Sequence, residues 1–569
     1  MVYLQRPWLK SYDHGVRTDV EITDQSLPAR WAEIRRDCGG QPALHFLGVT
    51  LTFDQLMALA DRFAQALIRN GLVKGDLVAI NLPNIPQFPI ALIGAMKAGC
   101  AISGLSPLNT ADEMVYQLND SNAKALVTLD AIFEHRFAKV ADRVPGLKLV
   151  APAGLVDFLP KVKQILAKWL KKIPSGRIMP LPDKEVIAFK DILTRYPAQT
   201  PEVKITQEDV CLIQYTGGTT GPPKGAVLTH KNVLANVTQF NEWTKLERGR
   251  EVMLSGFPMF HLAGMGVAMI SMSMGVAQVL IPDPRNTKHI IKEFAKYKPN
   301  MMTNVPSLYL MLLAEPEFKN LEFSQLRFCV SGAAPFPVDG INALEAVVGK
   351  GKLMEVYGMT ETSPLQTCNP YQNPKRIGSV GLPFPSTYIR IMNLDAPDQD
   401  VPLGQEGEIV VAGPQVMQGY HNKPAETAHA LRQHDGQVWM HTGDVGRMDE
   451  DGFVYVVDRA KDMIIVGGFK VFSSEVEDKL YQHPAIEFCA LIGVPNPERP
   501  ETEIVKLVVQ KKAAYKDKPN EEVKAELLAF AREKLSPYKV PKIVEFVEAI
   551  PLTAVGKVDK KALRPKPAG

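Results

Sequence analysis

The chain is poor in cysteine, and the cysteines it has are not placed to act together. Cys38, Cys100, Cys211, Cys329, Cys368 and Cys489 form no Cys-x-x-Cys pair and have no histidine at ligand spacing, which excludes a disulfide framework and a zinc site. They are expected to be reduced, mostly buried thiols. An excess of one charge is also missing. The 65 Lys and Arg against 62 Asp and Glu leave +3 over 569 residues, too little for a nucleic-acid footprint, so no nucleic-acid partner is expected. Met1 to Val20 is broken by Arg6, Lys10 and Asp13 and lacks the apolar core of a signal peptide, which makes a cytoplasmic location the default expectation. Long hydrophobic runs are scarce too. Leu262 to Ile281 has no charged residue and reaches spanning length, but Gly264, Gly266, Ser271, Ser273, Gly275 and Gln278 interrupt it. It lies between a Pro-Met-Phe-His segment and a Pro-Asp-Pro-Arg turn, a setting that predicts a buried helix followed by a buried strand.

What is present is a chain too long for one hydrophobic core, so at least two domains are expected. Hydrophobic residues at 46% and charged residues at 22% are those of a soluble globular enzyme. The most informative stretch is Tyr215 to His230, YTGGTTGPPKGAVLTH. Four glycines, three threonines and one lysine fall between Tyr215 and Gly225, so backbone N–H groups, hydroxyls and a cation can converge on phosphate oxygens. Pro222 and Pro223 separate Gly221 from Lys224, which excludes a Walker A loop, where Lys follows Gly directly.

Upstream, helix and strand patterns alternate: helix over Phe53 to Asn70, strand over Leu77 to Asn81, helix over Phe88 to Ala98, strand over Cys100 to Gly104. Thr110 and Glu113 form a capping box for a helix through Leu118, and a strand follows over Ala125 to Thr128. Such alternation predicts βαβ units and a mostly parallel sheet. From Leu155 to Ile173 a helical pattern sets Val162, Ile165, Leu166, Trp169, Leu170 and Ile173 against Lys161, Lys163, Lys168, Lys171 and Lys172. This basic amphipathic helix either packs on the body with solvated lysines or lies on an anionic membrane surface.

Past the phosphate-loop candidate, Phe257 to Gly264 places His261 among aromatic and small residues, where a core histidine is the ordinary reading. A strand over Leu326 to Val330 runs into Ser331-Gly332-Ala333-Ala334-Pro335, small enough for a flat ligand to approach backbone or simply a tight turn. In Val356 to Thr362, Tyr357 is able to stack on a base, Thr360 to donate to phosphate and Glu361 to hold Mg²⁺. His441-Thr442-Gly443-Asp444 sets a carboxylate on a glycine turn, suited to ribose hydroxyls or to an Asx turn. The remainder reads as a small α+β unit. It has a strand over Phe453 to Val457, a charged link Asp458 to Asp462, a turn at Gly467-Gly468 and a helix capped by Ser474 and Glu477. Strands over Phe488 to Val494, Ile504 to Val509 and Ile543 to Val547, and a helix over Glu521 to Leu535, complete it before a basic tail carrying Lys557.

The phosphate-loop candidate, FPMFH, YGMTE, HTGD, DRAKD and the terminal Gly-Lys occur in an order that resembles the acyl-adenylate-forming superfamily, and within it the bacterial long-chain fatty acyl-CoA synthetases. The resemblance spans nearly the whole chain. It implies a large α/β N-terminal domain, residues 1–458, and a small mobile α+β C-terminal domain, residues 459–569, hinged near Lys461. The implied reaction is attack of a carboxylate on ATP to give acyl-AMP and pyrophosphate, followed by thioester formation with coenzyme A. Thr216, Thr219, Thr220 and Lys224 would hold the phosphates, with Gly217, Gly218 and Gly221 of the same loop among the nucleotide contacts. Glu361 would hold Mg²⁺, Thr360 would lie near the α-phosphate, and Tyr357 with Gly332, Ala333 and Ala334 would frame adenine, with Gly358 among the nucleotide contacts. Asp444 and Arg459 would hold ribose, and Lys557 would bridge the acyl carboxylate and ATP. Gly468, with Gly467, would face the pantetheine channel, and His261 would stand at the mouth of the acyl pocket.

One departure from the resemblance is Val471-Phe472-Ser473-Ser474, where long-chain relatives usually carry an aromatic-proline pair. Ala263, Gly264, Met265, Gly266, Val267, Met269 and Met272 supply small and adaptable apolar surface, either for an acyl chain or as core. No Arg or Lys lies on this stretch to pair with a second substrate charge, which favours a fatty acid over an amino acid. A medium-chain, aromatic or alicyclic acid stays open as substrate, as does a carrier-protein thiol as acceptor. The implied location is cytoplasmic, with peripheral contact at the inner membrane face and a homodimer both left open.

Overall fold

Short apolar strands followed by helices with one apolar face gather into parallel sheets covered on both sides. The computed structural model describes residues 2–160, 174–216, 222–459, 462–466, 469–496, 503–553 and 558–564, with backbone alone at 469 and 470. One sheet of eight strands has the order Gly419–Tyr420, Lys224–Thr229, Val210–Thr216, Ala101–Gly104, Leu77–Asn81, Ala123–Leu129, Leu149–Ala153, Glu185–Val186. Its strands are parallel from Val210–Thr216 to Glu185–Val186, and an antiparallel hairpin joins Val210–Thr216 to Lys224–Thr229. A second sheet, of nine strands, has a parallel centre made by Ala277–Leu280, Val252–Ser255, Met301–Asn304, Phe328–Ser331 and Leu353–Gly358. Val78 and Leu212 from the first sheet and Met253 and Met354 from the second share one core with the helices Gln87–Lys97 and Leu262–Met274.

Several local expectations are met. Glu113 N–H donates to Thr110 Oγ1 at 3.3 Å and Thr110 N–H to Glu113 Oε2 at 2.7 Å, completing the capping box of the helix Ala111–Asp120. All six cysteines are free and buried. The charge-free run divides into the helix Leu262–Met274 and the strand Ala277–Leu280. Gly275, at φ +69°, supplies the left-handed residue that ends the helix. Among the described residues no helix is long and apolar enough to cross a membrane.

The basic amphipathic pattern fares differently. Leu155 to Leu159 form turns, because Asp157 Oδ2 takes the Gly154 N–H at 2.8 Å, and Val156 and Leu159 enter the main core. Residues 161–173 lie outside the described residues.

A five-stranded antiparallel sheet, built from Tyr388–Met392, Gly407–Ala412, Leu431–His434, Gln437–Met448 and Val454–Arg459, leads to the small C-terminal α+β unit. That unit has its own core, in which Val476, Leu491, Leu507 and Leu527 meet. The capping box expected from Ser474 and Glu477 is not formed. The helix is Ser473–Leu480, and its cap comes from Asp458, the penultimate residue of the strand Val454–Arg459. Asp458 Oδ2 accepts the N–H groups of Ser473 and Ser474 and, at 2.7 Å, the Ser473 hydroxyl. Glu477 is used elsewhere, 2.8 Å from Lys560 Nζ and accepting the Leu491 N–H at 2.5 Å. The segment expected as a charged link therefore begins within a strand, and its first residue, Asp458, is the cap. Asp458→Ala leaves these donors without their acceptor and is expected to lower unfolding stability by about 1–2 kcal/mol, the scale of a lost N-cap. Urea unfolding with an unchanged midpoint would refute the capping role.

Candidate active site

The carboxyl ends of parallel strands are where α/β sheets hold ligands, because loops and helix starts converge there. The hairpin pairs Thr216 directly with Lys224, so the two residues stand opposite each other at the roots of the Gly/Thr loop. Thr216 Oγ1 donates to the Lys224 carbonyl at 3.4 Å. Gly217, Gly218, Thr219, Thr220 and Gly221 lie outside the described residues. Lys224 Nζ is 5.2 Å from the centre of the Tyr420 ring, within cation–π range.

Tyr420 is the residue that sequence reasoning missed. Its strand, Gly419–Tyr420, pairs with Lys224–Thr229, and its hydroxyl donates to Glu361 Oε1 at 2.7 Å. Glu361 sits with Thr360 on the short 3₁₀ turn Thr360–Thr362, both buried. The turn is pinned by Met417 N–H donating to the Glu361 carbonyl at 2.9 Å. Burial pushes the Glu361 carboxyl above its ordinary value, against the pull of the Tyr420 hydrogen bond. Tyr420 thus joins the loop lysine to the candidate metal carboxylate. The only trace in the sequence is a Gly-Tyr pair 59 residues from Glu361.

A second cluster lies on the strand Leu353–Gly358 and the antiparallel sheet. Tyr357 donates its hydroxyl to Asp444 Oδ2 at 2.6 Å, and Arg459 Nε is 3.3 Å from Asp444 Oδ1. Burial, and after it the Asp444 charge, holds the Tyr357 hydroxyl well above its ordinary value, so it stays a donor. Asp444 does not occupy the turn expected from its glycine neighbour. It lies within the long strand Gln437–Met448, paired with Arg459, and Gly443 at φ +70° makes a bulge in that strand.

Gly332, Ala333 and Ala334 follow the strand Phe328–Ser331, with Ala333 at φ +69°. A Cβ on Gly332 would come within 2.7 Å of Val356 Cγ2, and one on Gly358 within 1.9 Å of the Pro364 carbonyl oxygen. Backbone excludes a side chain at Gly358, and the Val356 side chain crowds one at Gly332.

His261 is the N-cap of the helix Leu262–Met274, with Nδ1 accepting the Ala263 N–H at 3.2 Å. Its ring is half-buried at the start of the helix instead of inside the core. Gly266 brings that helix against Pro364, where a Cβ would be 2.9 Å from Cδ, so the run following His261 borders the Glu361 turn. Met265, Met269 and Met272 are at most 2% exposed and belong to the main core. Of the apolar run only Ala263 and Val267, one turn apart on one helix face, keep accessible surface. Lys461, Gly468 and Lys557 lie outside the described residues.

Among the described residues no three His, Cys, Asp or Glu side chains gather around a metal position. A lone buried carboxylate beside a phosphate-loop candidate fits Mg²⁺, which takes one or two carboxylates and fills its octahedron with substrate phosphates and water.

Comparison with known proteins shows the family to which this fold and these motifs belong. The AMP-binding enzyme family matches residues 31–421, and the AMP-binding enzyme C-terminal domain matches residues 475–557. A long-chain-fatty-acid–CoA ligase of Bacillus subtilis (strain 168) is 38% identical over 565 residues, covering 98% of each chain. One of Escherichia coli O6:H1 is 37% identical over 584 residues, covering 100% of this chain and 99% of its own. The structure of an ATP-bound RpMatB-BxBclM chimera superposes with a TM-score of 0.83 at 28% identity, covering 95% of this chain and 98% of its own.

Proposed function

Because the chain belongs to the AMP-binding enzyme family, we propose that it activates a fatty acid in two steps, forming acyl-AMP with release of pyrophosphate and then acyl-CoA with release of AMP. The substrate class follows from the full-length similarity to long-chain-fatty-acid–CoA ligases. The observation that carries the mechanism is the linked set Lys224, Tyr420 and Glu361 beside the Gly/Thr loop. Phosphoryl chemistry demands positioning and neutralisation of charge, and these are the residue types that do both.

In the first step the fatty carboxylate attacks the α-phosphorus and the pyrophosphate oxygen leaves. Thr216, Thr219, Thr220 and Lys224 hold phosphate oxygens while Thr360 donates toward the α-phosphate. Mg²⁺ held by Glu361 supplies further neutralisation of phosphate charge when bound. Asp444 accepts from the ribose hydroxyls, with Arg459 paired to one of its oxygens and Tyr357 fixing its rotamer. The small residues Gly332, Ala333 and Ala334 leave room for a flat base. Lys557 bridges acyl carboxylate and ATP. His261, Ala263 and Val267 line the entrance to the acyl pocket on the exposed face of their helix.

In the second step the CoA sulfur attacks the acyl carbon and the AMP phosphate leaves. Residues 459–569 turn about Lys461 between the two steps, withdrawing Lys557 and presenting the turn at Gly468 to the pantetheine arm. A closure of this kind is a common limit on turnover.

The test is pyrophosphate release and acyl-CoA formation with Mg-ATP and free CoA across acetate to oleate, with benzoate and cyclohexane carboxylate alongside. Efficiency should rise with chain length. A ring acid or short chain as best substrate would overturn the fatty-acid assignment. Pyrophosphate without thioester would instead identify a carrier-protein thiol as the acceptor.

A further inference from the structure

The strands Gly407–Ala412 and Gln437–Met448 fall out of register where Asp444 is presented. Val410 pairs with His441 and Glu408 with Val445, so four steps on the longer strand oppose two on its partner. Thr442, Gly443 and Asp444 stand opposite the single residue Ile409, a surplus of two that makes the bulge and breaks the ladder on that side. Side chains replace it there. Asp444 N–H donates to Thr442 Oγ1 at 3.1 Å, Thr442 Oγ1 donates to the Ile409 carbonyl at 2.6 Å, and Gly443 N–H donates to Glu408 Oε1 at 3.0 Å.

The other oxygen of Glu408 is held too. Oε2 is 2.8 Å from His441 Nδ1, and His441 Nε2 is 2.9 Å from His434 Nε2. A carboxylate accepts only, so His441 carries its proton on Nδ1 and the two facing Nε2 atoms share one proton between them. Both rings are nearly closed off from solvent, with side-chain exposures of 3% for His441 and 8% for His434. Burial acts to raise the Glu408 carboxyl, but the hydrogen bond and charge of His441 and the Gly443 N–H outweigh it and keep it ionised.

We propose that Glu408 is a positioning residue that sets the aim of Asp444 by clamping the Gly443 bulge, with its own carboxylate oriented by the His441–His434 pair. The proposal rests on the reading that Asp444 holds the ribose hydroxyls. A bulge re-aims a side chain, and where an oriented carboxylate holds one of its N–H groups, the loss of that carboxylate passes to the residue next in the chain. Loosening the clamp weakens the grip on ribose and leaves the phosphate-binding residues in place.

Steady-state kinetics of the full-length protein with ATP and with 2′,3′-dideoxy-ATP separate this role from a structural one. Glu408→Ala should raise the KM for ATP about tenfold, the scale of one lost hydrogen bond to a charged group, with kcat at saturating ATP changed less than KM. With 2′,3′-dideoxy-ATP the wild type has already lost the ribose contacts, so Glu408→Ala should add nothing. Glu408→Gln, which keeps the side-chain volume and an acceptor for the Gly443 N–H, should fall between wild type and Glu408→Ala and secures the test should Glu408→Ala fold poorly. Asp444→Ala is the control for the underlying reading. An unchanged KM for ATP in Asp444→Ala would remove the ribose assignment itself. A raised KM in Asp444→Ala together with no effect of either Glu408 variant, or with equal penalties on both nucleotides, would overturn the positioning role alone.

Discussion

Replacing Lys557 with alanine is expected to lower the rate of acyl-AMP formation by about two to three orders of magnitude, the usual cost of losing one preorganised charge at a developing oxyanion. Attack of one anion on another is the difficulty of the first half-reaction, since a fatty carboxylate must approach a phosphate that already carries negative charge. A cation bridging both groups is stabilised most at the transition state, where that charge is shared between them. The second half-reaction has no such encounter, so thioester formation from supplied acyl-AMP should be comparatively intact. Lys557 itself lies outside the described residues, but its flanks are held. Leu552 and Val558 pair across the segment that carries it, and Asp559 N–H donates to the Pro551 carbonyl at 2.8 Å. Measuring the two half-reactions separately decides the role, and equal loss of both would end the assignment.

Glu361→Gln is expected to reduce adenylation by about a hundredfold and to abolish its response to a Mg²⁺ titration, while the protein without ligands becomes no less stable. A carboxylate 5% exposed, pushed toward its protonated form by burial and held by the Tyr420 hydroxyl, is costly to keep as a purely structural group. The neutral amide keeps the shape and gives up the charge. It therefore separates a cation-holding role, in which function falls and folding does not, from a packing role, in which both move together. Adenylation that still follows Mg²⁺ as in the wild type would exclude Glu361 as the metal carboxylate. Tyr420→Phe should produce a smaller loss, about three- to tenfold, because it removes one hydrogen bond from the carboxylate and keeps the ring face toward Lys224.

Much of this protein was settled within single elements. The capping box at Thr110 and Glu113 and the division of Leu262 to Ile281 into helix and strand were legible because each depends on residues close together in the chain. The order of the motifs identified the chemistry for the same reason, since each motif is contiguous. Contacts between distant segments were not legible. Tyr357 and Asp444 are 87 residues apart, and Tyr420 and Glu361 are 59 apart. Ser474 carried a capping signal, but Asp458 arrived from the strand Val454–Arg459, 16 residues upstream, and took the helix start, which no local pattern records. Met269 and Met272 looked suited to an acyl chain, yet only packing decides which face of a nearly all-apolar helix turns inward, and it turned theirs into the core. The sequence alone determined the motifs, the order in which they occur and, through them, the family to which the chain belongs. The tertiary structure alone decided which of them meet, because meeting depends on strand register and on bulges such as that at Gly443, where a shift of a residue or two re-aims a side chain without changing any local motif.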